Sequence, residues 1–309
     1  NIDDYLTKYG GDLPAGIPRT VTPAGADAWL TALKLYGTMT FEQVVTPAME
    51  LAEGGFPVPA TLAAYFAKSA GDGITHESDE QTMWPSTAEI FYPGGRPFKE
   101  GEILVQKDLA RSFRRLIEVE QKNSSKGREE AIQAARDFFY KGEIAEEMVK
   151  FHQENGGLLT MEDLADFHVG VNPPAHGTYK GIDVYTCGPW CQGPVSIQAL
   201  QILEGLDLKG MGHNSADYIH SLLAAFNLAL SDREAFYGDP DFVKVPIEGL
   251  LSKSFAEERR STIDMKKAFP EMPVAGDPWK HQGMESPNGT PTRPEPVGGG
   301  MQADTSYTA

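Results

Sequence analysis

The residues best able to do chemistry in this sequence are two cysteines, seven histidines, a cluster of carboxylates and a run of hydroxyls near the end. Cys187 and Cys191 flank Gly188-Pro189-Trp190, a turn-prone stretch between a strand pattern and a helix pattern. The spacing is not that of a Cys-x-x-Cys redox pair, so a buried-thiol or loop-packing role is expected ahead of a disulfide across the turn. His213 and His220 are separated by six residues and His168 and His176 by seven, which is not the spacing of a tight metal pair. No metal and no other cofactor is therefore expected. Asp232-Arg233 and Gly238-Asp239-Pro240-Asp241 concentrate carboxylates, but one Asp-Pro-Asp turn does not set two of them across a substrate. A capped turn pinned by an Asp232 or Arg233 contact is expected there. Gly156-Gly157 and Gly298-Gly299-Gly300 lack the context of a phosphate loop and read as punctuation. Thr305, in Asp304-Thr305-Ser306-Tyr307-Thr308-Ala309, is filler if taken by itself.

The chain has 309 residues, with 44 acidic against 27 basic side chains and a net charge of −17. That balance excludes a nucleic-acid binder, whose affinity comes from clustered Lys and Arg, and disfavours docking on anionic lipid. Hydrophobic residues make up 40% and charged residues 23%, a globular composition. No apolar run approaches the roughly 18 residues of a membrane span. The start, Asn1-Ile2-Asp3-Asp4, has no signal-like segment, so a targeting signal is expected to lie outside this chain.

Apolar periodicity predicts the elements that position these groups. Ala26, Trp29, Leu30 and Leu33 mark a helix over 26–36. Thr40 with Gln43 forms a capping box, and Pro47 predicts two helical pieces with a break or kink near it, ending at Gly54-Gly55. Helices are expected over 108–120, 128–138 and 142–154, with a short one capped by Thr160. A strand is expected over 182–187, then a helix from Pro194 and another capped by Ser215 with Ile219, Leu222, Leu223 and Phe226 on its apolar face. Between Asp264 and Ala303, seven Pro and six Gly argue against regular structure.

Several segments, in order, resemble the large subunit of γ-glutamyltranspeptidases. They are Gly16-Ile17-Pro18, Tyr36-Gly37, Pro47-Ala48, Gly55-Phe56-Pro57-Val58, Phe139-Tyr140-Lys141-Gly142, Asn155-Gly156-Gly157-Leu158, Glu162-Asp163-Leu164, Tyr179-Lys180-Gly181 and Asp232-Arg233 through Pro240. The resemblance implies an α+β fold, the αββα sandwich of N-terminal-nucleophile hydrolases, of which this chain would be mainly the helix-rich large-subunit part. It implies three regions: a core over 1–263, a flexible Pro/Gly-rich linker over 264–304, and the start of the small subunit at 305–309. Asp304-Thr305 looks like the family's self-cleavage junction, which assigns Thr305 as nucleophile and leaves the substrate-binding residues unassigned.

The implied reaction is transfer or hydrolysis of γ-glutamyl amides such as glutathione through an acyl-Thr ester. Its partners are a small γ-glutamyl donor, water or an amino-acid or peptide acceptor, and the protein's own small subunit. The family resemblance also implies a periplasmic or extracellular location. The family's upstream donor-binding Arg motif and its small subunit have no counterpart here, so this 309-residue chain alone is expected to be inactive. Another amide hydrolase of the same superfamily is an alternative, since Cys187-Gly188-Pro189-Trp190-Cys191 departs from the family's Pro- and Ser-rich loop. A non-catalytic scaffold is a further one.

Overall fold

The computed structural model describes residues 7, 8, 10, 16–71 and 85–286. They belong to two compact units, Asn1–Gly170 and Val171–Ala309. The first contains α1 (Gly25–Tyr36), α2 (Phe41–Gly54), β1 (Phe56–Pro57), α3 (Ala60–Gly71), α4 (Pro85–Phe91), β2 (Ile103–Leu104), α5 (Lys107–Asn123), α6 (Arg128–Lys141), α7 (Glu143–Glu154) and α8 (Met161–Asp166). Helix α6 is its centre and packs against α1, α5, α7 and α8, while α2 packs on α5. Leu30, Phe41, Val45, Leu116, Ile117, Ile132 and Ala135 form the main core, and Tyr140, Ala145, Val149 and Leu164 a second one. β1 and β2 pair antiparallel beside a smaller cluster of Val58, Phe66, Tyr92 and Leu104.

Two local expectations are corrected. Residues 41–54 form one helix with Pro47 inside it, not two pieces. The Thr40–Gln43 capping box starts this helix, and Phe41, Val45 and Ala52 bury one continuous face, which outweighs the single hydrogen bond that proline deletes. In α1 the buried face is Asp27 and Leu30, whereas Trp29 is 73% exposed. Asp27 enters the core because it is fully paired there. Its carboxylate accepts from Arg136 Nε at 2.6 Å and from the Val169 N–H at 2.7 Å.

The second unit contains β3 (Ala175–Tyr179), β4 (Ile182–Thr186), α9 (Gly193–Glu204), α10 (Leu208–Met211), α11 (Ala216–Phe236), α12 (Ile247–Leu250) and α13 (Lys253–Ser261). β3 and β4 pair antiparallel from Ala175↔Thr186 to Tyr179↔Ile182. The two residues between them, Lys180 at φ 49° and Gly181 at φ 80°, have the two positive φ angles of a type I′ hairpin turn. The Lys180 N–H donates to the Glu204 carboxylate at the end of α9, which pins the turn. Gly177 lets α9 lie close on the hairpin, since a Cβ there would stand 2.2 Å from Ile197 Cγ2.

Helix α11 has the expected Ser215 cap, but of its expected apolar face Leu222 packs against the core while the rest does not. Ser221, Ala224, Ala225, Leu228, Ala229, Ser231 and Asp232 are buried, while Ile219, Leu223 and Phe226 are exposed. Small side chains bring α9 close, so Ala225 and Leu228 meet Ile202 and Leu203. Beyond α13, the described part of the Pro/Gly-rich stretch contains one four-residue 3-10 turn, Trp279–Gln282.

Glu120 on α5 supplies a test of the first unit. It is 4% exposed, and its two carboxylate oxygens accept from the N–H groups of Phe41 at 2.6 Å and Glu42 at 2.8 Å, the first turn of α2. A carboxylate at a helix N-terminus satisfies orphan donors and meets the positive end of the macrodipole. Glu120→Ala is expected to cost about 1–3 kcal/mol in denaturant unfolding, against less than about 0.5 kcal/mol for the exposed Glu118→Ala on the same helix.

Candidate functional site

Asp304 and Thr305 lie outside the described residues. What the structure places is the chain leading toward them and the groups that hold it. Asp232, four residues after Leu228, continues the buried face of α11 and is 0% exposed. Its contacts run to other helices and to Gly276, not to the Gly238–Asp241 turn that an Asp232 or Arg233 contact is expected to pin. Its Oδ1 accepts from the Gly276 N–H at 2.8 Å, while Oδ2 accepts from Gln198 Nε2 on α9 and lies 3.0 Å from Arg259 Nε on α13. Arg259 Nη2 in turn donates to Ser231 Oγ at 2.9 Å. One carboxylate thus joins three helices to the segment that continues toward Thr305.

That segment is held at further points. Ala275 and Trp279 are buried, and Gln282 Oε1 accepts from the Gly249 N–H at 3.0 Å. Gly249 is needed for this contact, because a Cβ would stand 2.0 Å from the Pro278 carbonyl oxygen. The Gly238–Asp241 stretch does form the expected turn, with the Asp241 N–H donating to Asp239 Oδ1 at 3.0 Å. Arg233 instead donates to Gln192 Oε1, just before α9.

In the first unit the structure joins two segments remote in sequence. Gly157 packs against Ile17, so that a Cβ on Gly157 would stand 2.6 Å from Ile17 Cγ2 and 2.4 Å from His152 Nδ1. Beside them lies a cavity of about 370 Å³ lined in part by Ile17, Thr20, Thr22, His152, Leu158 and Asp163. His152 Nδ1 is buried with no hydrogen-bond partner among the described residues. No group of three or more His, Cys, Asp or Glu side chains among the described residues is placed to hold a metal ion.

The two segments meeting here, Gly16–Pro18 and Asn155–Leu158, both carry the sequence resemblance. The family profile described as Gamma-glutamyltranspeptidase matches residues 4–306. The chain belongs to the γ-glutamyltranspeptidase family. The chain is 37% identical over 272 residues to a glutathione hydrolase proenzyme of Escherichia coli, covering 88% of this chain and 42% of that protein. It is 34% identical over 254 residues to an acylase proenzyme of a Pseudomonas species, covering 82% of this chain and 41% of that one. Among solved structures it resembles the γ-glutamyltranspeptidase of Helicobacter pylori with a TM-score of 0.70 and 27% identity, covering 85% of this chain and 70% of that one. The chain thus spans about two fifths of the length of these curated relatives and has the α+β fold of the family's N-terminal-nucleophile hydrolases.

Within this family fold, the loop between β4 and α9 corrects the thiol expectation: Cys187 and Cys191 form a disulfide. The Cys191 N–H donates to the Gly188 carbonyl at 3.2 Å, closing the turn and setting the two Cα atoms 6.7 Å apart, within disulfide reach. Sequence spacing did not reveal this because it does not report how tightly Gly188-Pro189-Trp190 turns. Gln198 and Arg259 also went unnoticed as partners of Asp232. Their only sequence signal was a carboxylate in register with the apolar face of a helix.

Burial pushes the Asp232 carboxyl up to about 6, against the opposing pull of Arg259, the Gly276 N–H and Gln198. A carboxyl that titrates near 3.8 when unfolded and near 6 when folded binds its proton more tightly in the folded state. Its contribution to stability is full below the unfolded value and is lost as pH rises through about 6. Between about pH 4.5 and about pH 7 this amounts to a decline of about 2 kcal/mol. Denaturant unfolding across that window should show this decline as the difference between the native chain and Asp232→Asn, which lacks the titrating group.

Proposed function

We propose that this chain is the large-subunit portion and cleavage junction of an enzyme that hydrolyses or transfers γ-glutamyl amides through an acyl-Thr305 ester. The observation that carries the reading is the family match, which continues to residue 306 and so runs across Asp304-Thr305. The name proenzyme, borne by the glutathione hydrolase and acylase relatives, supports a chain that matures by cleavage. The Gly276–Asp232 anchor is consistent with this reading, since it holds the approach to the junction at a defined point of the second unit.

The chemistry follows from the threonine. Before cleavage, Thr305 Oγ attacks the Asp304 carbonyl carbon. The peptide C–N bond breaks, an ester forms, and the Thr305 nitrogen takes the proton. Water then hydrolyses the ester, returning the hydroxyl and leaving a free α-amine on the same residue. An α-amine with an ordinary pKa of about 7.7–8.0 is a competent base for its own hydroxyl near neutral pH. In turnover Oγ attacks the γ-carbonyl of the donor and the amine leaves with a proton. Water or an acceptor amine then releases the acyl group.

A second reading, an acylase acting on other small amides, is favoured by the acylase relative, which matches almost as well as the glutathione hydrolase. In the complete polypeptide, Thr305→Ala is expected to leave one uncut chain and to lower turnover by at least about 10³-fold. Thr305→Ser is expected to be cut, and N-terminal sequencing of the smaller product should begin at residue 305. Normal cleavage of Thr305→Ala would overturn the assignment. Cleavage of the native chain with no release of p-nitroaniline from γ-glutamyl-p-nitroanilide would move the substrate to the acylase class.

A further inference from the structure

The Cys187–Cys191 disulfide closes a five-residue ring, Cys187-Gly188-Pro189-Trp190-Cys191, between β4 and α9. Both cysteines are partly exposed and Trp190 is 58% exposed, so a solute can reach the ring. The surroundings of the two sulfurs differ. Cys187 Sγ lies over the first residue of the twelve-residue helix α9, where a Cβ added to Gly193 would stand 2.8 Å from it. The Thr186 hydroxyl is 3.7 Å from the same sulfur. Helix α9 has no side-chain cap at its N-terminus. A thiolate on Cys187 would therefore face the positive end of a helix and a hydroxyl donor. Cys191 Sγ instead lies 3.4 Å from the Gly188 carbonyl oxygen, a negative partner that disfavours a thiolate.

We propose that this ring is a site of thiol–disulfide exchange with low-molecular-weight thiols of the cysteinyl class, and that the incoming thiol is captured on Cys191. The small thiolate attacks Cys191 Sγ, a new S–S bond forms between them, and the Cys187–Cys191 bond breaks. The electron pair leaves with Cys187, the sulfur better able to hold it. A lower-pKa thiol is the faster leaving group, which sets the direction of attack. A second small thiolate then attacks the small-thiol sulfur of the mixed disulfide. It forms the oxidised small disulfide and releases Cys191 as a thiolate, so the protein gains two thiols while two small thiols are oxidised.

The oxidised full chain is incubated with glutathione in native buffer, quenched with acid, alkylated and mapped by mass spectrometry. The expected result is a glutathionyl group on Cys191 with Cys187 alkylated, in at least about tenfold excess over the reverse. S-methylglutathione, which has no thiol, should give neither. An adduct chiefly on Cys187, or no adduct and no free thiol until denaturant is added, would overturn the proposal. Single variants give a second reading that does not depend on trapping the adduct. The free Cys187 of Cys191→Ser should alkylate at lower pH than the free Cys191 of Cys187→Ser, with circular dichroism confirming that both fold. Equal or reversed titration would overturn the assignment of leaving group. None of these measurements needs γ-glutamyl turnover, so their failure and the failure of the proposed activity are separately visible.

Discussion

A carboxylate carried into a helical interior must be paired there, and the second unit is arranged around that requirement. Asp232 has no exposure, and each of its oxygens is occupied by groups from other elements. α9 supplies Gln198, α13 supplies Arg259, and residue 276 supplies a backbone N–H. A buried ion pair of this kind contributes little net stability compared with apolar packing, because desolvation offsets most of the attraction. What it confers is geometry. The carboxylate ties α9, α11, α13 and the segment after them at one point.

The first unit solves the same problem with different residues. Asp27 on α1 is tied to Arg136 on α6, and Tyr140 on α6 accepts from the Asp27 N–H at 3.0 Å and donates to the Pro23 carbonyl at 2.6 Å. Burial alone would raise the Asp27 carboxyl, but the Arg136 and Val169 hydrogen bonds outweigh it and leave the group below its ordinary value. Asp232 goes the other way because its burial is deeper. The contrast follows from the balance of desolvation against pairing.

The molecule's relation to its proposed chemistry is one of support. Among the described residues a hydroxyl does stand beside an imidazole: Ser254 Oγ lies 2.8 Å from His281 Nδ1, and His281 Nε2 lies 3.0 Å from Glu258 Oε2. The described residues hold a helical scaffold and the segment that follows it as far as residue 286. Exposed Ile219, Leu223 and Phe226 on α11 and exposed Ile182 and Tyr185 on β4 leave apolar surface on the second unit.

Local signals determined a good deal here. Thr40 with Gln43, Thr160 and Ser215 each placed a helix start, and the helices over 107–123, 128–141 and 143–154, which carry no side-chain cap, follow from apolar period, because caps and period both depend on residues within one turn of each other. The ordered segments also carried the family. Only tertiary structure decided which face was buried. Ile219 and Phe226 are apolar yet outside, and Asp27 and Asp232 are charged yet inside. Close helix packing favours small side chains, and a charge is tolerated wherever a distant residue can pair it. Pro47 inside α2 and the Cys187–Cys191 bond belong to the same category. Each rests on contacts or a turn geometry that spacing along the chain does not encode.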